Sequence, residues 1–364
     1  MKFRCERDVL LEALATASRG VAGRGGALPV LSGIRFRLSG SSLELAASDL
    51  DLTIRVTTTV TSGDDGVCVL PAKLTTDIVR ALEPGAVTVD VDGDQARISS
   101  GRSDFAVRAL VADDFPRLPE PDPSEVSIAS RSLVAALKQV VKAASNDDAR
   151  PILTGVLMSA EDDGLRLVAT DSYRLAVCDL AGVELLRSSQ KVLMPSKALS
   201  ELARLLGGVD TVVIHLSDRE ATFDVGHVRL TTRLIEGEFP NYRQLIPQSY
   251  PNRLTVQREA FGEAVRRVKL MARESTPIRL ALSADAVELI AVAQDVGEAR
   301  EIVDAHYEGV DMTVAFNAEY LTDGIESAQS EEITLDTVDA LKPAVIRPVG
   351  EPGFLYLLMP VRVA

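Results

Sequence analysis

Among the carboxylate doublets of this chain, two serve as candidates for a reactive site. Asp147-Asp148 and Asp162-Asp163 are pairs of the kind that hold divalent cations for phosphodiester cleavage. That chemistry needs several acids converging on one point, and both doublets lie in turn-like, solvated surroundings, "SNDDAR" and "AEDDGL". A Ser/His/Asp or Cys/His arrangement does not recur either. His215, His227 and His306 are far apart, as are Cys5, Cys68 and Cys178, which form no Cys-x-x-Cys pair. Zinc ligands and disulfide frameworks show characteristic clustering, so the thiols read as buried and inert. No catalytic residue, metal site or cofactor is expected, and a metal-dependent DNA-processing enzyme is kept only as the enzymatic alternative.

The stretch Leu167–Val177, "LVATDSYRLAV", suggests recognition instead. An apolar, strand-like entry runs into Thr170-Asp171-Ser172-Tyr173-Arg174, and an apolar run then resumes. A hairpin turn accounts for the polarity. A hydroxyl, an acid, an aromatic and a base in succession also suit one wall of a docking pocket for other proteins.

Three successive sets of elements must position such a pocket. The amphipathic openings "ERDVLLEALATASRG", "SRSLVAALKQVVKAAS" and "QREAFGEAVRRVKLMAR" are each followed by strand patterns, a second helix and further strands. Pro29, Pro151 and Pro277 follow the opening helices, and Pro71, Pro195 and Asn317 precede the second ones. Phe115-Pro116, Phe239-Pro240 and Met359-Pro360 lie near the three ends. The period of about 120 residues is too long for a solenoid unit and right for a domain. In "VTVDVDGDQARI", Val87, Val89 and Val91 alternate with polar residues before a Gly93 turn, a hairpin pattern. Ser196 is positioned to cap "KALSELARLLG", which Gly207-Gly208 stops. The reading is α+β: three repeated domains, each two helices packed on antiparallel β-sheet, over 1–121, 122–250 and 251–364.

Among 364 residues, 46% apolar and 25% charged are the proportions of an ordinary soluble protein. No signal peptide and no apolar run of about 18 residues is seen, so a cytoplasmic protein without a membrane partner is expected. The net charge of −14, the absence of Trp and an aromatic content of 4% argue against stacking on unpaired bases. They do not exclude duplex DNA, because net charge says nothing of where charges sit.

The basic residues fall on helix faces. Arg131, Lys138 and Lys142 share one face of the third predicted helix, and Arg266, Lys269 and Arg273 line up on the fifth. Lys73 with Arg80, and Lys197 with Arg204, repeat an i,i+7 spacing on the second and fourth. Arg24 and Arg150 sit on neighbouring loops, while Glu319, Asp323 and Glu326 make the sixth helix acidic. Any one such face is an ordinary solvated surface; recurrence on four of six helices suits weak, sequence-independent phosphate contact.

The whole chain, from "MKF" to "YLLMPVRV", resembles the bacterial β sliding clamps, the processivity subunits of DNA polymerase III. The most specific matches are "RPILTGVL", "ATDSYRLAV", "EFPNYRQLIP", "FNAEYLTDGI" and "YLLMPVR". The resemblance implies a head-to-tail homodimeric ring of six domains, lined by helices around duplex DNA. Leu270 and Met271, with Glu298 and Glu301 opposite Arg97 or Arg102, are the interface candidates under that reading. It also implies a cleft for short, partly apolar peptide motifs of the replicative polymerase alpha subunit, the clamp loader, repair polymerases and mismatch-repair or ligase proteins. Carried over by motif, the cleft uses Leu153, Thr170, Ser172, Tyr173, Arg174 and Leu175, then Pro240, Gln244 and Leu245. The C-terminal strand adds Leu357, Met359, Pro360, Val361 and Arg362. Arg174 and Thr170 are expected to fix the peptide backbone, and the apolar members to line an adaptable slot. "TDSYRL" stands where Gly-His is often found and Gln244 where Arg is frequent, which bears on which peptides fit. A specialised or inhibitor-resistant clamp paralogue remains open at this point.

Overall fold

The computed structural model describes residues 1–23, 28–118, 120–272, 276–293 and 296–362. Arg24 and Arg273, both DNA-facing candidates, lie outside the described residues. Six α-helices occur among the described residues: α1 (Arg7–Ala17), α2 (Ala72–Ala81), α3 (Ser130–Val140), α4 (Ser196–Leu205), α5 (Arg258–Lys269) and α6 (Ala318–Ser327). They come in the expected pairs, each helix starting directly after a strand or one residue beyond it. Helix α5 buries Phe261, Ala264, Val265 and Val268, the i, i+3, i+4, i+7 stripe of an amphipathic helix. At α6 the Asn317 side chain accepts hydrogen bonds from the N–H groups of Glu319 and Tyr320, satisfying two donors the helix cannot. Ser196 is itself the first helical residue of α4 and not the residue before it, a correction of one position. Pro29 and Pro151 each open a short 3-10 turn, where their fixed φ and missing N–H cost nothing.

The chain forms two compact units, residues 1–131 with 201–234, and residues 132–200 with 235–364. In the first unit a five-stranded sheet joins strands 61–64, 2–6, 86–92, 95–100 and 103–108. An eight-stranded sheet runs 126–129, 211–216, 220–225, 228–233, 52–59, 42–48, 33–39, 66–71. The second unit holds a twelve-stranded sheet in which 191–195, 155–161, 164–170 and 174–181 continue into 354–358, 344–348, 332–337 and 252–257, and on through 297–308, 286–293 and 278–283 to 312–316. Among the described residues the strand pairings are antiparallel, those that join one repeat to the next included.

Sheets therefore run across the repeats, at two equivalent joints. At the first, strand Leu52–Thr59 pairs with Val228–Arg233 in the register Thr53↔Thr231, Ile54↔Leu230, Arg55↔Arg229 and Val56↔Val228. At the second, Arg174–Ala181 pairs with Phe354–Leu358 as Leu175↔Leu357, Ala176↔Tyr356, Val177↔Leu355 and Cys178↔Phe354. The sequence reading anticipated the triplication but not these continuous sheets.

Candidate functional site

The loop Thr170–Arg174 is a hairpin turn built by its own side chains. Asp171 Oδ1 accepts from the Tyr173 and Arg174 N–H groups at 2.9 and 3.0 Å. Thr170 Oγ1 donates to the Arg174 carbonyl at 2.6 Å and accepts from Ser172 N–H at 3.2 Å. Ser172 sits at φ +84, a left-handed conformation that short polar residues tolerate better than bulky ones. The backbone so folded lifts Ser172 and Tyr173 into solvent, Tyr173 being 59% exposed.

Arg174 points the other way. Its guanidinium donates to Asp171 Oδ2 at 2.9 Å, to Asp323 Oδ2 on α6 at 2.5 Å and to the Tyr356 hydroxyl at 3.3 Å. It also lies over the Tyr320 ring, 4.4 Å from the centroid, while Tyr320 stacks with Tyr173 at 6.5 Å. Burial works against its charge, but Tyr356 and the two carboxylates outweigh that and push the arginine further toward permanent protonation. Burial likewise drives the Tyr356 hydroxyl far above its ordinary range, so it stays a neutral partner.

Beside the turn lies an apolar floor. Leu175, Leu357, Val168, Val177, Leu157, Leu193, Val345 and Tyr242 form one buried cluster, with Ile152, Ile235, Phe239, Ile246, Tyr250 and Leu355 half-buried against it. Residues 235–250 supply a strap over this floor, anchored by Ile235 N–H to Leu193 O and an edge-on Phe239–Tyr242 ring contact. The C-terminal segment closes the edge, with Met359 N–H donating to Tyr173 O at 2.9 Å and Val361 N–H to Ala315 O at 2.8 Å.

The cleft candidates thus separate into a rim and a floor. Tyr173, Leu245, Met359 and Val361 are exposed apolar rim residues, at 59%, 46%, 37% and 38%. Ser172, Pro240, Gln244 and Arg362 are exposed polar or ring positions near them in the chain, and Pro360 is half-buried. Leu153, Leu175 and Leu357 are buried. Arg174 and Thr170, expected to hold a peptide backbone, are both buried, and hydrogen bonds tie Thr170 Oγ1 to the turn and Arg174 to the turn and α6. Tyr320, which the motif transfer missed, underlies Tyr173; its Tyr-x-x-Asp spacing from Asp323 on one helix face was the available signal.

The basic helix faces are exposed, but several carry acidic partners. Lys142 pairs with Glu326 at 2.8 Å and Asp323 at 3.3 Å, and Lys269 pairs with Glu319. Arg266 lies 3.9 Å from Glu326, so the acidic face of α6 neutralises part of α5. Burial opposes the charge on Lys142, yet the Glu326 hydrogen bond and Asp323 outweigh it and raise the ammonium; Lys142 in turn holds Glu326 below the usual carboxylate range. Arg80 pairs with Asp77, Arg204 with Glu201 and Arg150 with Asp147. Lys73, Arg131, Lys138 and Lys197 are exposed.

Of the interface candidates, Leu270 is 83% exposed just past α5 and Met271 is half-buried. Glu301 is taken within the chain by Arg267, and Glu298 by Arg300, while Arg97 stands 3.6 Å from Asp104. Arg102 is exposed. Phe105, 38% exposed on the sheet-edge strand Ser103–Arg108, is a further apolar candidate that the sequence reading missed.

Among the described residues no group of three or more His, Cys, Asp or Glu side chains could hold a metal ion. Burial pushes the Cys68 and Cys178 thiols up to about 12, which keeps them protonated and unreactive at neutral pH. Among the described residues no helix is long and apolar enough to cross a membrane.

Comparison with known proteins matches this architecture along its length. Models of the DNA polymerase III beta subunit match in three parts: its N-terminal domain over residues 1–119, its central domain over 127–241 and its C-terminal domain over 243–362. The chain is 35% identical to the beta sliding clamp of Streptomyces coelicolor, covering 100% of both chains. It is 30% identical to that of Staphylococcus aureus over 100% of this chain and 99% of the other. The sliding clamp of Bacillus subtilis superposes with TM-score 0.91 at 29% identity, and that of Bartonella birtlesii, solved bound to griselimycin, with TM-score 0.91 at 32%, each covering 100% of both chains. The chain belongs to the DNA polymerase III beta-subunit family, the sliding clamps that serve as its non-catalytic processivity subunit.

Proposed function

We propose that this chain tethers DNA polymerase to duplex DNA as a head-to-tail homodimeric ring of domains 1–121, 122–250 and 251–364, and that partners dock in the groove above Leu175 and Leu357. The single observation that carries the docking site is the exposed apolar rim of Tyr173, Leu245, Met359 and Val361 over a buried apolar floor. A Leu or Phe side chain seated there gains about 1.5–3 kcal/mol, enough for recognition and small enough for exchange. The partners in this reading are the polymerase alpha subunit, the clamp loader, repair polymerases and mismatch-repair or ligase proteins, each presenting a short peptide. The compartment is the cytoplasm, where bacterial DNA is copied.

Exposed ion pairs such as Lys142–Glu326 contribute about 0–1 kcal/mol, so phosphates can displace the carboxylate without committing the protein to one position. DNA contact is then weak and sequence-independent, and retention comes from encirclement. The exposed Leu270 and the edge position of Phe105 support closure between chains by apolar contact. Retention on plasmid after clamp loading tests the ring: the protein should stay on circular plasmid and run off once the plasmid is linearised. Equal loss from both forms would contradict encirclement.

A further inference from the structure

We propose that Asp323 on α6 is a positioning residue for partner recognition, acting through Arg174 and Tyr320 to hold the exposed Tyr173 ring at the rim of the groove. The proposal rests on reading that groove as the partner site. The Tyr173 backbone is held by Asp171 and Met359, but its side chain projects from the turn and is 59% exposed. What sets its place is beneath it. The Tyr320 ring stacks with Tyr173 at an interplanar angle of 25° and centroid distance of 6.5 Å, and the Arg174 guanidinium packs on Tyr320 at 4.4 Å.

Arg174 is in turn pinned at both ends. Asp171, at the base of the same turn, takes its Nε, and Asp323 takes Nη1 at 2.5 Å. The other carboxylate oxygen of Asp323 faces Lys142 at 3.3 Å, which fixes the rotation of the carboxylate. Helix α6 itself cannot shift toward or away from this site freely. Gly324 packs so closely on Tyr356 that an added Cβ would lie 2.6 Å from Tyr356 Cδ1, and the Tyr356 hydroxyl accepts from Arg174. The chain Asp323, Arg174, Tyr320, Tyr173 is thus one connected contact path from a helix to an exposed aromatic. A stacked, held aromatic loses less freedom on binding than a loose one, which is where the affinity gain arises.

The test is a double-mutant cycle on the full-length protein, read as binding of a fluorescein-labelled six-residue peptide carrying a Leu and a Phe. Asp323→Asn and Tyr173→Ala should each weaken binding about tenfold, and the double variant should bind no more weakly than Tyr173→Ala alone. Losses that multiply, or wild-type affinity in Asp323→Asn, would overturn the positioning role. Should Asp323→Asn not fold, Tyr320→Leu replaces it in the cycle with the same expectation. Met359→Ser serves as the separate check on the groove. If the wild type fails to bind the peptide, or Met359→Ser binds it equally well, the groove reading falls and takes the proposal with it. Loss in Met359→Ser with no loss in Asp323→Asn defeats the positioning role alone.

Discussion

The two joints between repeats have the same backbone and opposite chemistry. At alternate positions the first joint pairs Thr53 with Thr231 and Arg55 with Arg229; the second pairs Leu175 with Leu357 and Val177 with Leu355. Even the turns correspond. Asp49 Oδ1 accepts from the Asp51 and Leu52 N–H groups, and Leu50 sits at φ +83, as Asp171 and Ser172 do in the later repeat.

Arginines directly opposite one another repel, and the first joint answers this with acids. Arg55 donates to Glu120 at 3.2 Å and Arg229 to Asp224 at 2.5 and 2.9 Å. His215 lies between Asp224 and the Asp122 carbonyl, at 3.2 and 2.8 Å. What remains open there is a cavity of about 140 Å3 lined by Glu120, Pro121, Asp122, His215, Ser217, Glu220 and Thr222. One triplicated fold has thus given one joint a polar clasp and the other an apolar slot. The difference between the joints follows from the side chains on a shared frame, not from the frame itself.

The largest effects should come from breaking the second joint. Arg174→Met leaves the buried Asp171 without its cation and the half-buried Asp323 with Lys142 alone, and should cost about 3–5 kcal/mol in urea unfolding. A loss below about 1 kcal/mol would show that the buried pair does not hold the turn. Leu357→Thr, which gives the second joint the residue of the first, removes a fully packed side chain and should cost about 2–5 kcal/mol. Met359→Ser acts at the rim: peptide affinity should fall about tenfold while stability changes by less than about 1 kcal/mol. Arg55→Val, the reverse exchange at the first joint, ends an ion pair whose carboxylate is 78% exposed and should cost less than Arg174→Met. A loss near that of Arg174→Met would erase the contrast between the joints.

Acid should sharpen the same contrast. Burial alone would raise Asp224, but the bonds from Arg229 and His215 outweigh it and hold the carboxyl below its ordinary value. Its contribution is therefore complete above the unfolded value of about 3.9 and is lost as pH falls through the lower folded one. Amide exchange in strand 228–233 should accelerate over that window before exchange in strand 354–358 does. Simultaneous loosening of both strands would count against the assignment.

Much of this was legible in the chain. The three sets of helices and strands, the Asn317 start of α6 and the α5 core stripe follow from short-range periodicity and capping, and they stand in the structure. The floor of the groove was legible only as apolar residues, because Leu175 and Leu357 meet across 182 positions and no local pattern states that pairing. For the same reason the burial of Arg174 was not legible: its partner Asp323 is remote in sequence. The carboxylates of α6 were visible, but not that they would take Lys142 and Lys269.

Mapping bound peptide by amide hydrogen exchange, with the number of peptides bound per chain measured in the same sample, tests the contrast most directly. The account expects one peptide per chain, with protection confined to the segments around Tyr173, Leu245 and Met359. Protection around Leu50 and Glu120, or two equivalent peptides per chain, would contradict it.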